Sequence, residues 1–456
     1  MSIDFNRFKQ DIIGKKVGVV GLGVSNIPLI RYLLTLGAEV YGFDQRKLEA
    51  LSQEVHDFRS EVRLSLGENY LDDLKGLDMI FKTPGMRIDH PALLSAKEEG
   101  AVITSEMDEF LKYCSARTIG ITGSDGKTTT TTVVGEILKK AGYHVYVGGN
   151  IGTPLFTKLD EIKPSDVVVL ELSSFQLMTM TNSPEIAIVT NLSPNHLDMH
   201  KDMQEYIEAK MNIFRYQKPG DLLILNEDNE ITKSFAPLAN GKVEFFSSKN
   251  ENEDAYFSDG SLYLRYERIV DLSEMKVKGV HNAENFLAAF LAVEDFVQKP
   301  IMRELALSFP GVKHRCQFIR EHEGVRYYND SIASSPTRTL ASISSLEKKV
   351  NVILGGYDKQ LDFAPLAEEG YKYIKNAILV GDTRHKIQES FRTASKKSGQ
   401  QIPIHMAETF EDAVKKLRAI SQEGDLAILS PACASFDLFR NFEERGDRFV
   451  QLVNEF

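Results

Sequence analysis

The run Gly120-Ile-Thr-Gly-Ser-Asp-Gly-Lys-Thr-Thr129 holds the residue types of a phosphate cradle together with its cation. Thr118, Ile119 and Ile121 read as the end of a buried strand, and Val133, Val134, Ile137 and Leu138 repeat at helical spacing. Gly123 and Gly126 allow backbone N–H groups to turn in on an anion, and the start of the following helix adds its dipole. Ser124 and Asp125 lie between them, inside the candidate phosphate loop. Lys127 is placed to reach the β- and γ-phosphates, and the hydroxyl of Thr128 or Thr129 to ligate Mg²⁺. The strict phosphate-loop pattern asks for glycine where this chain has Ile121, so the motif is the shorter Thr-Gly-x-x-Gly-Lys-Thr form. A glycine-rich turn with a solvated lysine would need none of the strand, hydroxyls and helix that accompany it. The expected ligand is ATP, with Mg²⁺.

A second glycine-rich turn, Gly21-Leu-Gly-Val-Ser-Asn26, follows the apolar run Val17 to Val20 and precedes a helical pattern from Ile27 to Leu36. Asp44 ends the next apolar run, where dinucleotide-binding folds keep a ribose-binding acid. Asn26 replaces the third glycine of that fingerprint, which is expected to weaken the packing of helix on strand. Another nucleotide or nucleotide-sugar is therefore favoured over NAD. Thr83-Pro-Gly85 supplies a further loop to the same crevice. Glu171 closes the apolar run Val167 to Leu170 and is either a Mg²⁺ ligand or an acid near a helix N-cap; the cradle in the same block favours the metal. His196 and His200 have helical spacing but lack the glutamate and third ligand of a zinc protease, which leaves Mg²⁺ or substrate contact. Lys210 falls in the run Tyr206 to Phe214, whose periodicity alone places it on a solvated helix face. Farther on, Gly355-Gly-Tyr-Asp-Lys359 and Ser430-Pro-Ala-Cys-Ala-Ser435 each follow an apolar strand, at the strand ends where open sheets bind ligands. Lys359 suits a substrate carboxylate, whereas Cys433 has no evident histidine partner and reads as a packing residue.

These motifs need a framework of alternating strands and helices. Strands are expected at Glu39 to Phe43, Met79 to Lys82, Ile186 to Asn191, Asp221 to Asn226, Val350 to Leu354, Ala377 to Val380, Ile402 to Met406 and Leu426 to Leu429. The segment from about 242 to 280 reads as a small antiparallel appendage, turned at Asp259-Gly260, and a helix spans about 282 to 297. With 456 residues, 42% of them hydrophobic and 26% charged, the chain can bury about three separate cores. A net charge of −11 argues against nucleic acid as a partner but not against a small anionic substrate. Residues Met1 to Lys16 have no apolar core of signal-peptide length, no later run is long enough to span a bilayer, and Cys114, Cys316 and Cys433 form no disulfide framework. A cytoplasmic monomer without nucleic-acid or membrane partners is expected.

In this order the motifs resemble the Mur ligase family, whose members build the peptide of bacterial peptidoglycan. The resemblance rests on the cradle, Gly149-Asn150-Ile-Gly152, Glu171-Leu-Ser-Ser-Phe-Gln176, His196 to His200, and Ala209-Lys210. It continues with His281-Asn-Ala-Glu-Asn285, His314-Arg315, Asn329-Asp-Ser331, Gly355 to Lys359, Ser430 to Ser435 and Asn441-Phe-Glu443. It implies an α/β fold of three domains: a Rossmann-like N-terminal domain (1–105) for a UDP-substrate, a central P-loop ATPase-like domain (106–311), and a Rossmann-like C-terminal domain (312–456) for an amino acid. The Ser-Pro-Ala-x-Ala-Ser element points to a member that joins D-glutamate to UDP-N-acetylmuramoyl-L-alanine through an acyl phosphate, with another amino-acid acceptor as the alternative. By this resemblance Lys127 and Thr128 hold phosphates and Mg²⁺, and Glu171 binds the metal. His196 serves a second Mg²⁺ and the substrate, and Lys210 matches a lysine that the family carbamylates to complete that second site. Asn285, Arg315 and Asp330 match ATP-contacting positions. Asn150 matches a muramoyl contact, and Gly23, Asp44, Arg46 and Gly85 match the UDP site. Lys359, Ser435, Phe436 and Phe442 match the surroundings of D-glutamate. Two positions depart from the pattern: Asp125 replaces an asparagine in the cradle, and Ile332 replaces a lysine after Asn329-Asp-Ser331.

Overall fold

The computed structural model describes residues 4–23, 25–193, 200–346, 348–358 and 361–456; His196 and Lys359 lie outside them. The chain folds as two compact units, Met1–Ser308 and Phe309–Phe456.

The first unit contains two sheets. One consists of β1 (Lys16–Val20), β2 (Glu39–Asp44), β3 (Arg63–Leu66), β4 (Met79–Lys82) and β5 (Val102–Thr104), in the spatial order β3-β2-β1-β4-β5, all parallel. The order reverses between β1 and β4, so the crevice outside their carboxyl ends is the natural ligand site. Alternation along β1 sends Val17 and Val19 to one face, where Ile27, Leu29, Ile30 and Leu33 of the helix Asn26–Thr35 cover them. Val20 points to the other face, among Phe43, Ile80 and Leu93. Asn26 does not loosen this packing. Its buried side-chain amide donates to the carbonyls of Val20 and Gly21 and ties the helix start to the end of β1. The hydrogen bonds of asparagine replace the close approach that a third glycine would allow.

The other sheet has nine strands: β6 (Arg117–Thr122), β7 (Val145–Gly149), β8 (Val167–Glu171), β9 (Ile186–Val189), β10 (Leu222–Asn226), β11 (Lys242–Ser247), β12 (Ala255–Ser258), β13 (Ser261–Leu264) and β14 (Glu267–Asp271). Their order is β14-β13-β12-β11-β10-β9-β6-β8-β7, with β6 between β8 and β9. The expected appendage is thus no separate piece. Strand β11 is parallel to β10, and the antiparallel hairpin strands extend the same sheet. The two sheets of this unit are pinned by the helix Glu106–Tyr113. The buried Glu106 carboxylate accepts from the backbone N–H groups of Leu155 and Phe156, and Asp108 accepts from Thr181 and Asn182.

The second unit is built on β15 (Gln317–His322), β16 (Val325–Asn329), β17 (Val350–Leu354), β18 (Ile374–Leu379), β19 (Ile404–Met406) and β20 (Leu426–Leu429), ordered β15-β16-β20-β17-β18-β19. All neighbours are parallel except the hairpin β15–β16, which the sequence pattern did not mark. Apolar layers lie on both faces of this sheet, as a parallel sheet requires.

Because the buried Asn26 makes two hydrogen bonds, one of them wholly buried, Asn26→Gly is expected to destabilise the protein by about 1–3 kcal/mol although it restores the fingerprint glycine. The urea unfolding midpoint measures this; an unchanged or higher midpoint would show that glycine packing is worth more than the amide.

Candidate active site

The cradle follows β6 and sits between the ends of β8 and β9. The register sets Ile121 beside Glu171 on one side and Thr122 beside Val189 on the other. A side chain at Gly123, whose φ is +150°, would collide with the Thr190 hydroxyl, and one at Gly126 (φ +80°) with the Asn285 amide. These two positions therefore require glycine. The loop is tied to the strand-end segment after β9: Ser124 N–H donates to Asn191 O, and Asp125 N–H donates to Asn191 Oδ1 at 2.9 Å. Asp125 itself is exposed. Lys127 opens the helix Lys127–Lys140 and folds back on the loop, its Nζ donating to the carbonyls of Gly123 and Ser124 at 2.9 Å each. Thr128 is buried on the first turn beside the half-buried Thr129. Asn285, in the helix Val280–Val293, accepts from Thr130 Oγ1 and so packs against the base of the cradle.

Glu171 ends β8 and is buried. Its Oε1 accepts from Asn150 Nδ2 at 2.8 Å, whereas Oε2 has no hydrogen-bond partner among the described residues. An orphaned carboxylate oxygen out of water costs free energy that a cation would recover, so the residue fits a metal ligand rather than a helix cap. Lys210 corrects the reading from periodicity. It lies on the helix Met203–Arg215 but is only 1% exposed, and its Nζ donates to Thr122 Oγ1 at 3.0 Å and to Gly123 O at 2.9 Å. Burial, reinforced by the charge of Lys127 and only partly countered by Glu171, drives its pKa well below the ordinary lysine range. One turn earlier, Tyr206 places its hydroxyl 2.9 Å from Ser124 Oγ. His200 is stacked on Phe175, with Nε2 2.9 Å from Ser174 Oγ.

In the first sheet, Asp44 has no free valence for a ribose. Its carboxylate accepts from the backbone N–H groups of Leu22 and Arg46 and pairs with the Arg46 guanidinium, which holds its pKa below the usual carboxylate range against the opposing effect of burial. It organises the turn that carries Gly23, which is exposed, while Arg46 remains half exposed at the surface. Across the crevice, the Thr83 N–H donates to Val20 O and Gly85 follows in the same turn. Lys82, beneath that turn, is 2% exposed and hydrogen-bonded to the Thr83 carbonyl; burial lowers its pKa to about 8.

In the second unit the parallel register brings the ends of β16, β20 and β17 side by side. Gly355 N–H donates to Pro431 O and Tyr357 N–H to Ala434 O, so the two expected loops form one surface. Asp330 accepts from Cys316 N–H and from Ser430 Oγ, yet burial pushes its pKa up to about 6. Ser435 is buried, Phe436 exposed against Tyr357, and Phe442 set edge-on to His314. Arg315 is exposed next to His314.

Comparison with known proteins accounts for this arrangement. Three family models match in order: "Mur ligase MurD-like, N-terminal domain" at residues 15–105, "Mur ligase middle domain" at 121–293, and "Mur ligase, glutamate ligase domain" at 314–433. The chain is 55% identical to the UDP-N-acetylmuramoylalanine–D-glutamate ligase of Clostridium perfringens, covering 100% of both chains. It is 56% identical to the enzyme of that name from Clostridium kluyveri, again over 100% of each. The chain belongs to the Mur ligase family. Among solved structures, the UDP-N-acetylmuramate–alanine ligase of Thermotoga maritima matches with a TM-score of 0.57 at 20% identity, over 97% of this chain and 99% of that one. At that identity the likeness concerns the fold alone.

Some residues of this Mur ligase site escaped the sequence reading. Tyr206 seats Ser124 without belonging to any motif, and Thr122, although the first residue of the cradle motif, holds Lys210 by a contact that the motif does not announce. Arg445 is a buried guanidinium that donates to Ser331 Oγ and to the carbonyls of Ser331, Cys433 and Ala434. It supplies a cation behind the loop where Ile332 has replaced one. Its only signal in the sequence was its place four residues after Asn441. The raised pKa of Asp330 yields a test with a definite sign. The folded state holds this proton more tightly than the unfolded chain, so the contribution of Asp330 to stability falls as pH rises from roughly 4 through about 6. Relative to Asp330→Asn, the wild-type melting temperature should therefore be lower at pH 7.5 than at pH 5; a pH-independent difference would contradict the assignment.

Proposed function

We propose that this chain is an ATP-dependent ligase that joins D-glutamate to UDP-N-acetylmuramoyl-L-alanine, releasing ADP and phosphate in the cytoplasm. The observation that carries this reading is the convergence at the carboxyl end of β6: a glycine cradle, two lysine ammonium groups and the orphaned oxygen of Glu171. It occurs in a chain collinear from end to end with curated D-glutamate ligases. The segments 1–105, 106–311 and 312–456 are assigned to the UDP-substrate, to ATP and to the amino acid.

The muramoyl-alanine carboxylate attacks the γ-phosphorus of ATP, the bond to ADP breaks, and an acyl phosphate forms. The D-glutamate amine then attacks that carbonyl, loses a proton, and expels phosphate. Positioning and charge neutralisation are the protein's main contribution. Gly123, Ser124, Asp125, Gly126 and Thr129 would line the triphosphate, Lys127 would neutralise its β/γ end, and Asn285, Arg315 and Asp330 would contact the nucleotide. Thr128 and Glu171 would hold one Mg²⁺, and His196 with a carbamylated Lys210 a second. When bound, Mg²⁺ supplies charge neutralisation at the phosphate oxygens. The lowered pKa of Lys210 supports the carbamate, because a neutral amine can form a C–N bond to CO₂ and release a proton. The product is an anion, which suits a metal site. Gly23, Asp44, Arg46 and Gly85 would frame the UDP crevice, Asp44 by holding Arg46, and Asn150 would reach the muramoyl group. Lys359, Ser435, Phe436 and Phe442 would receive D-glutamate. The protein is proposed to act as a monomer without nucleic-acid or membrane partners; among the described residues no helix is long and apolar enough to cross a membrane.

Phosphate release from ATP in the presence of UDP-N-acetylmuramoyl-L-alanine tests the reading directly. D-glutamate should support it, while L-glutamate, L-lysine, diaminopimelate and glycine should not; release with one of the others alone would replace the acceptor. Lys210→Ala should lose most activity, and short carboxylic acids should restore part of it. An unaffected rate in that variant would remove Lys210 from the chemistry.

A further inference from the structure

Arg87 follows the Thr83-Pro-Gly85 turn of the first sheet, two residues beyond Gly85. Its guanidinium makes two bidentate pairs. Nε and Nη2 lie 2.9 and 3.0 Å from the Asp89 carboxylate, and Nη1 and Nη2 lie 3.0 and 2.7 Å from that of Glu205. Lys201 closes the group, its N–H donating to Glu205 and its Nζ standing 2.8 Å from Asp89. These contacts hold the Asp89 carboxyl below its ordinary range and that of Glu205 at about 2, chiefly through the hydrogen bonds of Arg87.

What gives the cluster meaning is the element that Glu205 stands on. The helix Met203–Arg215 carries Glu205 in its first turn, then Tyr206, whose hydroxyl meets Ser124 of the cradle, then Lys210, whose ammonium holds Thr122 and Gly123. One rigid helix therefore grips the crevice turn with its first turn and the phosphate cradle with its second. Arg87 is 30% and Glu205 22% exposed, so the pair is worth little as a stability element. Its value is geometric, since the guanidinium fork holds each carboxylate by two hydrogen bonds.

We propose that Arg87 is a positioning residue that couples occupancy of the nucleotide-sugar crevice to the phosphate cradle, through Glu205 and its helix. This rests on the reading that the UDP-substrate occupies that crevice. Movement of the Gly85 turn on substrate binding is transmitted to Glu205, and the helix carries it to Ser124, Thr122 and Gly123. The two ligands then favour each other's binding by the same factor.

Isothermal titration of the full chain with a non-hydrolysable ATP analogue and Mg²⁺, with and without saturating UDP-N-acetylmuramoyl-L-alanine, measures this. Wild type should bind the analogue about tenfold more tightly when the nucleotide-sugar is present. Arg87→Ala should reduce that factor to within about twofold of one, while the Kd for the analogue alone changes less than about threefold. Arg87→Lys should retain part of the coupling, and Glu205→Gln, altered at the far end, should lose it as Arg87→Ala does. If Arg87→Ala does not fold, Glu205→Gln decides the matter. Undiminished coupling in the folded variants would overturn the proposal, as would a wild type that turns over substrate yet shows no coupling. A wild type that does not bind the nucleotide-sugar at all would overturn the functional reading with it.

Discussion

Removing the Lys210 ammonium from water is the constraint around which the first unit is organised. Stripping an ammonium of its hydration costs several kcal/mol even after relaxation. Hydrogen bonds to a charged group return about 1.5–3 kcal/mol each, and among the described residues Lys210 makes them to Thr122 Oγ1 and Gly123 O. No carboxylate of the described residues lies within ion-pair distance of its Nζ, and Lys127 adds repulsion. A fold selected for stability alone would put an apolar side chain there. The geometry that keeps the lysine in place accounts for much of its surroundings: the open backbone at Gly123, the threonine at the end of β6, and the tyrosine one turn earlier on the same helix. At the end of the adjacent strand, Glu171 is half satisfied among the described residues.

Among the described residues, Lys210 is one of three cations set in this way. Lys82 beneath the crevice turn donates to the Thr83 carbonyl, and Arg445 in the second unit donates to a hydroxyl and three carbonyls. Each is buried, each has its pKa lowered by desolvation, and each meets neutral oxygens. Each also stands at or behind the carboxyl end of a sheet, where open α/β folds take ligands. A chain of net charge −11 thus keeps local positive potential where phosphates and carboxylates are to be received.

The strand and helix alternation, the cradle and the paired loops of the second unit were legible because each depends on local residue types at fixed spacing. Val17, Val19 and Val20 announce a strand, and Gly123, Gly126 and Lys127 announce an anion site, whatever surrounds them. The remainder depended on tertiary context. The sequence reading put Lys210 on a solvent face because a lysine in a helix is usually solvated, yet Tyr206, Ile213 and Phe214, at the i−4, i+3 and i+4 positions, bury the face it shares with them, and the adjacent end of β6 receives its ammonium. The fingerprint reading treated Asn26 as a defect because hydrogen bonds to Val20 and Gly21 leave no trace in a glycine pattern. Asp44 stood where a ribose acid belongs, yet the arginine two residues later takes up its carboxylate. The hairpin after β11 looked like an appendage because alternation reports strands but not the sheet they join.

The proposed carbamylation of Lys210 would give its burial a chemical use. Carbon-13 NMR of the protein equilibrated with ¹³C-bicarbonate measures this most directly. A carbamate resonance in the wild type that is missing from Lys210→Ala, and that strengthens when Mg²⁺ is added, is the result expected of a lysine whose burial lowers its pKa in the same site as the orphaned oxygen of Glu171. A wild-type spectrum identical to that of Lys210→Ala would mean that the buried ammonium serves the cradle only as a fixed charge.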